Sequence, residues 1–297
     1  MRAVVIAAFA CACAAPAHAG PKEDALWARL RARLERLEQS LDGVLGLSVK
    51  DLKTGTTFEI RPDEPFPQAS VIKLAVLYEL YRQADEGKVD LAEITRPPGA
   101  RVGGGGVLQE LGPSVSLPWR DVAVLMMGWS DNAATNVLIE RLGMDAVNRR
   151  LDGLGLPRTR LRRRMMDLEA ARRGDENVST PGEMRRLVEA IYAGTGLSPE
   201  RALDLRKVAA TTKRTEFRKP LPEGLVVLDK DGELEAVRAA AAVVDLPGRP
   251  YAITIMTTYL RRDADGDALV REVSAAVFET FDRLARSSDL GRIISER

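Results

Sequence analysis

Histidine and cysteine are almost missing from this chain of 297 residues, which has one His and two Cys. All three, Cys11, Cys13 and His18, fall within residues 1–19. That stretch has Arg2 as a minimal basic start, an apolar run from Val4 to Ala15, and Ala17-His18-Ala19 just before Gly20. It reads as a signal peptide cleaved near Ala19, with an apolar run too short to span a bilayer stably. The expected location is periplasmic or secreted. A lipid anchor on Cys11 or Cys13 is one alternative, although the residues before each Cys fit a lipobox poorly, and a buried N-terminal helix is another. Once the leader is removed, no His and no Cys remain. A Ser-His-Asp triad, a Cys nucleophile, a disulfide and an ordinary zinc site are then excluded. Acid–base chemistry must come from Lys, Asp, Glu, Tyr or Arg, and no metal or cofactor is expected.

Charge imbalance and aromatic residues are also scarce. Lys and Arg number 44 against 43 Asp and Glu, and aromatics make up 5%. A nucleic-acid binder would show a basic excess or stacking platforms, so no nucleic-acid partner is expected. No later apolar run approaches the length of a membrane span, so no stable span is expected either. With 45% hydrophobic and 29% charged residues, the composition is that of a soluble enzyme able to bury a real core.

Leu26, Leu30, Leu34, Leu37 and Leu41 recur at helical spacing and predict a helix over 25–42. The run is too short for a coiled coil, so packing on a sheet is expected. Val44–Asp51 and Thr56–Ile60 flank Lys53-Thr54-Gly55 and predict a hairpin. Helices are predicted over 71–86, 120–128 and 133–142, from Thr180-Pro181-Gly182-Glu183 to about Ala193, and from Ser198-Pro199 onward. Strands return at 225–229, 236–245 and 251–257, before a last helix over 267–285. The expected fold is α+β and two-lobed: an antiparallel sheet built from both chain ends, with an inserted all-α lobe. The sheet lobe covers about 20–65 and 206–297, and the helical lobe about 66–205, all within one domain over 20–297.

Ser70-Val71-Ile72-Lys73 puts a hydroxyl and an amine one turn apart at a helix start. The helix N-terminus favours an oxyanion there, and a lysine held among positive groups can act as base. A capping serine and a solvated lysine are the plain alternative. Ser130-Asp131-Asn132 lies in the break between two helices, where it could face a cleft or simply cap a helix. Lys230-Asp231-Gly232 reads by itself as a hairpin turn, since Asp-Gly is a strong turn pair.

Together these motifs resemble the class A β-lactamases and the wider penicillin-binding serine enzymes, which carry Ser-x-x-Lys, Ser-Asp-Asn and Lys-Thr-Gly in this order. The likeness runs through Leu52-Lys53-Thr54-Gly55, Pro65-Phe66-Pro67 and Ser130-Asp131-Asn132-Ala133-Ala134-Thr135-Asn136. It implies a site between an all-α lobe and a sheet lobe. It implies Ser70 as the acylated nucleophile, Lys73 as its base and Ser130 as proton relay to the leaving nitrogen. Asn132 would bind a substrate amide and hold Lys73, and Lys230 would give the cleft its positive potential. The backbone N–H groups of Ser70 and Glu233 would form the oxyanion hole.

Two positions depart from that pattern. The family's Ω-loop glutamate, which activates the deacylating water, falls on Met165 when Leu168-Glu169 is aligned, or on Met166 when counted from Ser130. Of the loop acids Asp167 and Glu169, Glu169 is the candidate replacement base. The threonine after the sheet lysine is Asp231, which would repel a substrate carboxylate unless protonated or paired, and Arg238 is the candidate compensating cation. The basic stretch Arg158–Arg164 reads as a salt-bridged or solvated loop, or else as an attractor of anionic cell-wall or membrane material. The resemblance thus implies a secreted, monomeric serine hydrolase that forms an acyl-enzyme on Ser70 with a small-molecule substrate, a β-lactam or a peptidoglycan-like amide or ester. The two departures make deacylation slow unless Glu169 serves as its base. A D-alanyl peptidase or esterase on the same fold, or a non-catalytic cell-wall or ligand-binding module, is the alternative.

Overall fold

The computed structural model describes residues 21–97, 102–211, 215–288 and 290–293, so the leader lies outside the described residues. The chain opens with α1 (Pro21–Ser40), β1 (Val44–Asp51), β2 (Thr57–Ile60) and β3 (Phe66–Pro67). A 3-10 turn over Ala69–Ile72 leads directly into α2 (Lys73–Asp85). After β4 (Ile94–Thr95) and β5 (Leu117–Pro118) come α3 (Trp119–Gly128), α4 (Asn132–Leu142), α5 (Met144–Gly153) and α6 (Leu168–Arg172). Then follow β6 (Val178–Ser179), α7 (Pro181–Ala193), α8 (Pro199–Ala209), β7 (Val227–Leu234), β8 (Val237–Val244), β9 (Tyr251–Thr258) and α9 (Asp263–Arg286).

The main sheet has the order β2-β1-β9-β8-β7 and is antiparallel throughout, so strands from both chain ends interleave as expected. Side chains alternate across a strand with period two, and both faces are covered. Tyr251, Ile253, Ile255, Ala240, Ala242 and Val244 face the terminal helices. Ala252, Met256, Ala239, Ala241 and Val243 face the helical lobe. The stripe of α1 buries Leu30 and Leu34, and Trp27 joins it edge-on to Phe281 at 5.6 Å between ring centroids. The helical lobe centres on α2, whose sequence from Leu74 to Tyr81 is buried on every side.

Three departures from the sequence expectation concern local chemistry that packing overrides. Lys230-Asp231-Gly232 is not a turn. It lies inside β7, an edge strand paired with β8 through Lys230↔Ala241, Asp231↔Ala240 and Gly232↔Ala239. The turn comes later, with Ala236 at φ 60°. The α-helix expected from Val71 begins at Lys73, with Ser70 in the preceding 3-10 turn. Helices α5 and α6 were not expected, although Val147 and Leu151 at helical spacing are the buried pair of α5.

Candidate active site

Ser70 sits in the 3-10 turn that follows Ala69, and Ala69 holds a left-handed φ of 47°. The turn is fixed from behind by Gln68, whose N–H donates to Asn177 O at 2.9 Å and whose Nε2 donates to Val178 O at 2.6 Å. Ser130, between α3 and α4, also has a left-handed φ, 51°. Non-glycine residues in this region are strained, and such strain gathers at sites that the surrounding structure holds in place. Here it turns two hydroxyls toward each other: Ser130 Oγ donates to Ser70 Oγ at 3.0 Å.

Lys73 is fully buried at the start of α2, and its ammonium position is saturated with acceptors. Nζ donates to Ser130 O at 2.6 Å, Ser130 Oγ at 3.1 Å and Asn132 Oδ1 at 3.0 Å. Burial holds the Lys73 amine well below the usual lysine range, and the positive charge of Lys230 lowers it further. Asp131 and Asp231 act in the opposite direction. A continuous hydrogen-bonded line therefore runs Ser70–Ser130–Lys73, ending on an amine biased toward its neutral form. Such a line can carry a proton from a nucleophilic hydroxyl to a base.

The sheet closes the other side. An atom added as Cβ on Gly232 would lie 2.6 Å from Gln68 O and 3.0 Å from Ser70 N. Only glycine lets β7 run this close to Ser70. Glu233 follows at once, with its side chain exposed. Lys230 is buried, and its Nζ donates to Asp231 O at 2.7 Å and Asp231 Oδ1 at 2.8 Å. Ser70, Lys73, Ser130 and Asn132 are thus joined by hydrogen bonds, with the Lys230–Asp231–Gly232 segment beside them.

Arg238 is not brought to this cluster. It stands opposite Glu233 in the β7–β8 register. Its guanidinium is held by Asp267 at 2.6 Å, by Asp263 at 3.3 Å and by the carbonyls of Leu234 and Val237. Its guanidinium is thus engaged on the α9 side and, among the described contacts, bonds to none of Ser70, Lys73, Ser130, Asn132 or Lys230. The loop acids are likewise committed elsewhere. Asp167 caps α6 through Ala170 N–H at 2.9 Å, and Glu169 is exposed and ion-paired with Arg172. Met165 occupies the inward place: Asn136 Nδ2 donates to its carbonyl at 3.1 Å and its N–H donates to Asn136 Oδ1 at 2.8 Å. Met166, at φ 63°, is exposed and packs against Gly104. Four of the five arginines of the basic stretch are paired locally, as Arg158–Asp63, Arg160–Asp152, Arg163–Glu176 and Arg164–Glu140.

Asp131, which the sequence offered only as a possible helix cap, organises the site. It is buried, and its Oδ1 accepts Ala134 N–H at 2.9 Å, capping α4. Its Oδ2 accepts Val107 N–H and Leu108 N–H, both at 2.7 Å. These bonds tether the loop that contains Gly103-Gly104-Gly105-Gly106, and Asn132 N–H reaches Gly105 O at 3.1 Å. A Cβ on Gly106 would meet Asp131 Cγ at 2.5 Å. The run of four glycines was the available signal. Among the described residues no group of His, Cys, Asp and Glu could hold a metal ion, and no helix is long and apolar enough to cross a membrane.

By comparison with known proteins, this two-lobed α+β fold with a serine–lysine cluster beside its sheet is that of a hydrolase family. A model described as the β-lactamase enzyme family matches residues 29–281. A β-lactamase of Streptomyces cellulosae is 33% identical over 83% of this chain and 81% of its own length. The structure of an ancestral class A β-lactamase matches with a TM-score of 0.78 and 29% identity, over 85% of this chain and 100% of that one. A variant of PBP-A, solved as its acyl-enzyme complex with penicillin G, matches with a TM-score of 0.78 and 28% identity, over 86% of this chain and 97% of that one. The chain belongs to the family of class A β-lactamases and related penicillin-binding proteins.

Proposed function

We propose that this protein is an exported serine hydrolase that forms an acyl-enzyme on Ser70 with β-lactams or related amides and esters, and releases the acyl group slowly. The observation that carries the reading is the hydrogen-bonded line from Ser70 through Ser130 to the buried Lys73. Ser70 passes its proton to Ser130, and Ser130 passes its own to neutral Lys73. Ser70 Oγ then attacks the carbonyl carbon, and the N–H groups of Ser70 and Glu233 receive the developing oxyanion. The C–N bond breaks as Ser130 delivers a proton to the leaving nitrogen and takes one back from Lys73. An ester on Ser70 remains. Asn132 holds Lys73 and offers its amide to the substrate.

Hydrolysis of that ester needs a base to activate water. Met165, clasped by Asn136, supplies none, and Glu169 is exposed and paired with Arg172. The same observation favours a second reading, a D-alanyl peptidase or esterase on this fold, in which transfer to water is not the optimised step. Residues 1–19 are assigned to export, and residues 20–297 to a single monomeric domain. Incubation of the mature protein with a penicillin, followed by intact-mass measurement over time, tests the reading: the expected result is one added penicillin mass that persists for many minutes and maps to Ser70. A non-catalytic binding module would show no added mass.

A further inference from the structure

Met166 bridges two loops that flank the cluster around Ser70, and it does so with an oxidisable sulfur. Its backbone is left-handed, at φ 63°, directly after Met165, which Asn136 clasps through both N–H and carbonyl. The anchored backbone carries a side chain that is exposed. The thioether lies against the glycine loop. A Cβ on Gly104 would meet Met166 Sδ at 3.1 Å and Cγ at 3.7 Å, and one on Gly103 would meet Cε at 3.9 Å. The same point on Gly104 is 2.5 Å from Asn132 Nδ2, so sulfur and amide face one small volume with no room for a methyl group. Asn132 is tied to the lysine: its Oδ1 accepts from Lys73 Nζ at 3.0 Å. Its Nδ2 gives one N–H to Gly103 O at a long 3.3 Å. The amide has a second N–H, which is the one left for a substrate.

We propose that Met166 is an oxidation site that controls the reactivity of Ser70: hydrogen peroxide converts its thioether to the sulfoxide, and the oxidised protein is acylated more slowly. The inference rests on the acyl-enzyme reading of Ser70 and adds a control to it. Beyond residue 19 the chain has no cysteine, so methionine carries all of its sulfur. Among the described residues the other methionines are buried or partly buried, which leaves Met166 as the accessible one. In the reaction a lone pair of Sδ attacks one peroxide oxygen and the O–O bond breaks. The departing oxygen keeps the bonding electrons, takes up the proton and leaves as water. The thioether is oxidised by two electrons and the peroxide is reduced. The new oxygen is a polar acceptor placed in a volume that is already full. It either takes the second N–H of Asn132 or pushes the Gly103-Gly104 backbone away from it. Both outcomes disturb the residue that holds Lys73 and offers its amide to the acyl donor. Reduction of the sulfoxide restores the thioether and the original contacts.

The test treats the mature protein with hydrogen peroxide and locates the added oxygen by peptide mass mapping, with Met166→Leu treated in parallel. Acylation by benzylpenicillin is read by intact mass before and after treatment. It is read again after the oxidised protein is incubated with methionine sulfoxide reductases A and B, one for each sulfoxide epimer. The dissociation constant of benzylpenicillin is read by calorimetry on Ser70→Ala, with and without peroxide. The first oxygen should fall on Met166, acylation should slow by about tenfold, as for one lost hydrogen bond, and the reductases should restore it. The rate of Met166→Leu, whatever its starting value, should change by less than about twofold on treatment. First oxidation at another residue, a rate unchanged within about twofold once Met166 is oxidised, or an equal loss in Met166→Leu overturns the proposal. If benzylpenicillin does not acylate the untreated protein, the acyl-enzyme reading fails separately, and the affinity on Ser70→Ala decides. A weakening of about tenfold on oxidation upholds the control through Asn132, and an unchanged affinity overturns it.

Discussion

Replacing Asp131 by Asn keeps the size of the side chain and removes its charge. The carboxylate accepts three backbone N–H groups, from Ala134, Val107 and Leu108. An amide has one oxygen and one NH2, which cannot accept. Turned one way, it abandons Val107 and Leu108. Turned the other way, it abandons Ala134 and leaves the remaining two bonds without charge assistance. Hydrogen bonds to charged groups contribute roughly 1.5–3 kcal/mol each, and a buried donor left without a partner costs roughly 1–3 kcal/mol. Val107 is exposed enough for water to recover part of its loss, whereas Leu108 and Ala134 are buried. The expected cost is therefore about 2–4 kcal/mol, together with slower acylation, because the tethered loop accepts the N–H of Asn132. The assay is urea unfolding of Asp131→Asn beside Asp63→Asn, an exposed partner of Arg158 at 3.3 Å. The exposed pair should contribute less than about 1 kcal/mol. If Asp131→Asn unfolds within about 1 kcal/mol of the parent protein, the carboxylate does not organise the site and the reasoning is wrong.

Other outcomes follow from the same geometry. Lys73 accepts a proton only when neutral, so acylation falls as pH drops through its lowered pKa. Lys230→Met removes a neighbouring positive charge that lowers that pKa, so the acid limb of the acylation profile should move to higher pH; a limb that stays in place or moves lower contradicts the coupling. Met165→Glu puts a carboxylate at the position clasped by Asn136 and should shorten the acyl-enzyme lifetime by about 10²-fold or more, as expected when a general base is gained. Glu169→Gln should leave the lifetime unchanged within about threefold; a large lengthening would show that the exposed glutamate is the base after all.

Elements with dense local signals were legible in the sequence. β1 falls on Val44–Asp51 as expected from its alternating residues, and α7 starts at Pro181 after the capping Thr180, whose Oγ1 accepts Glu183 N–H at 3.2 Å. The placement of Ser70 and Lys73 at the start of a helical segment was legible from the apolar run that follows them, whereas their link through Ser130, sixty residues later, was not. What was not legible depends on contacts distant in sequence. Asp-Gly is turn chemistry in isolation, yet pairing with β8 and the close approach to Ser70 hold Asp231-Gly232 extended. The faces of the sheet decide Arg238, because a side chain on the α9 side meets Asp267 rather than the cleft. Asp131 looked like a cap, and it is one. Its second task, tethering a loop more than twenty residues earlier, leaves only the run of glycines as its trace in the sequence.

The central claim is that a lysine-activated serine is acylated here without histidine. The most direct measurement is the intact mass of the mature protein after incubation with a penicillin methyl ester, run in parallel on Ser70→Ala and Lys73→Met. The account predicts a single adduct on the parent protein, none on Ser70→Ala and a strongly slowed one on Lys73→Met. An adduct of equal extent on Ser70→Ala, or no adduct on any of the three with either the ester or the free acid, would contradict it.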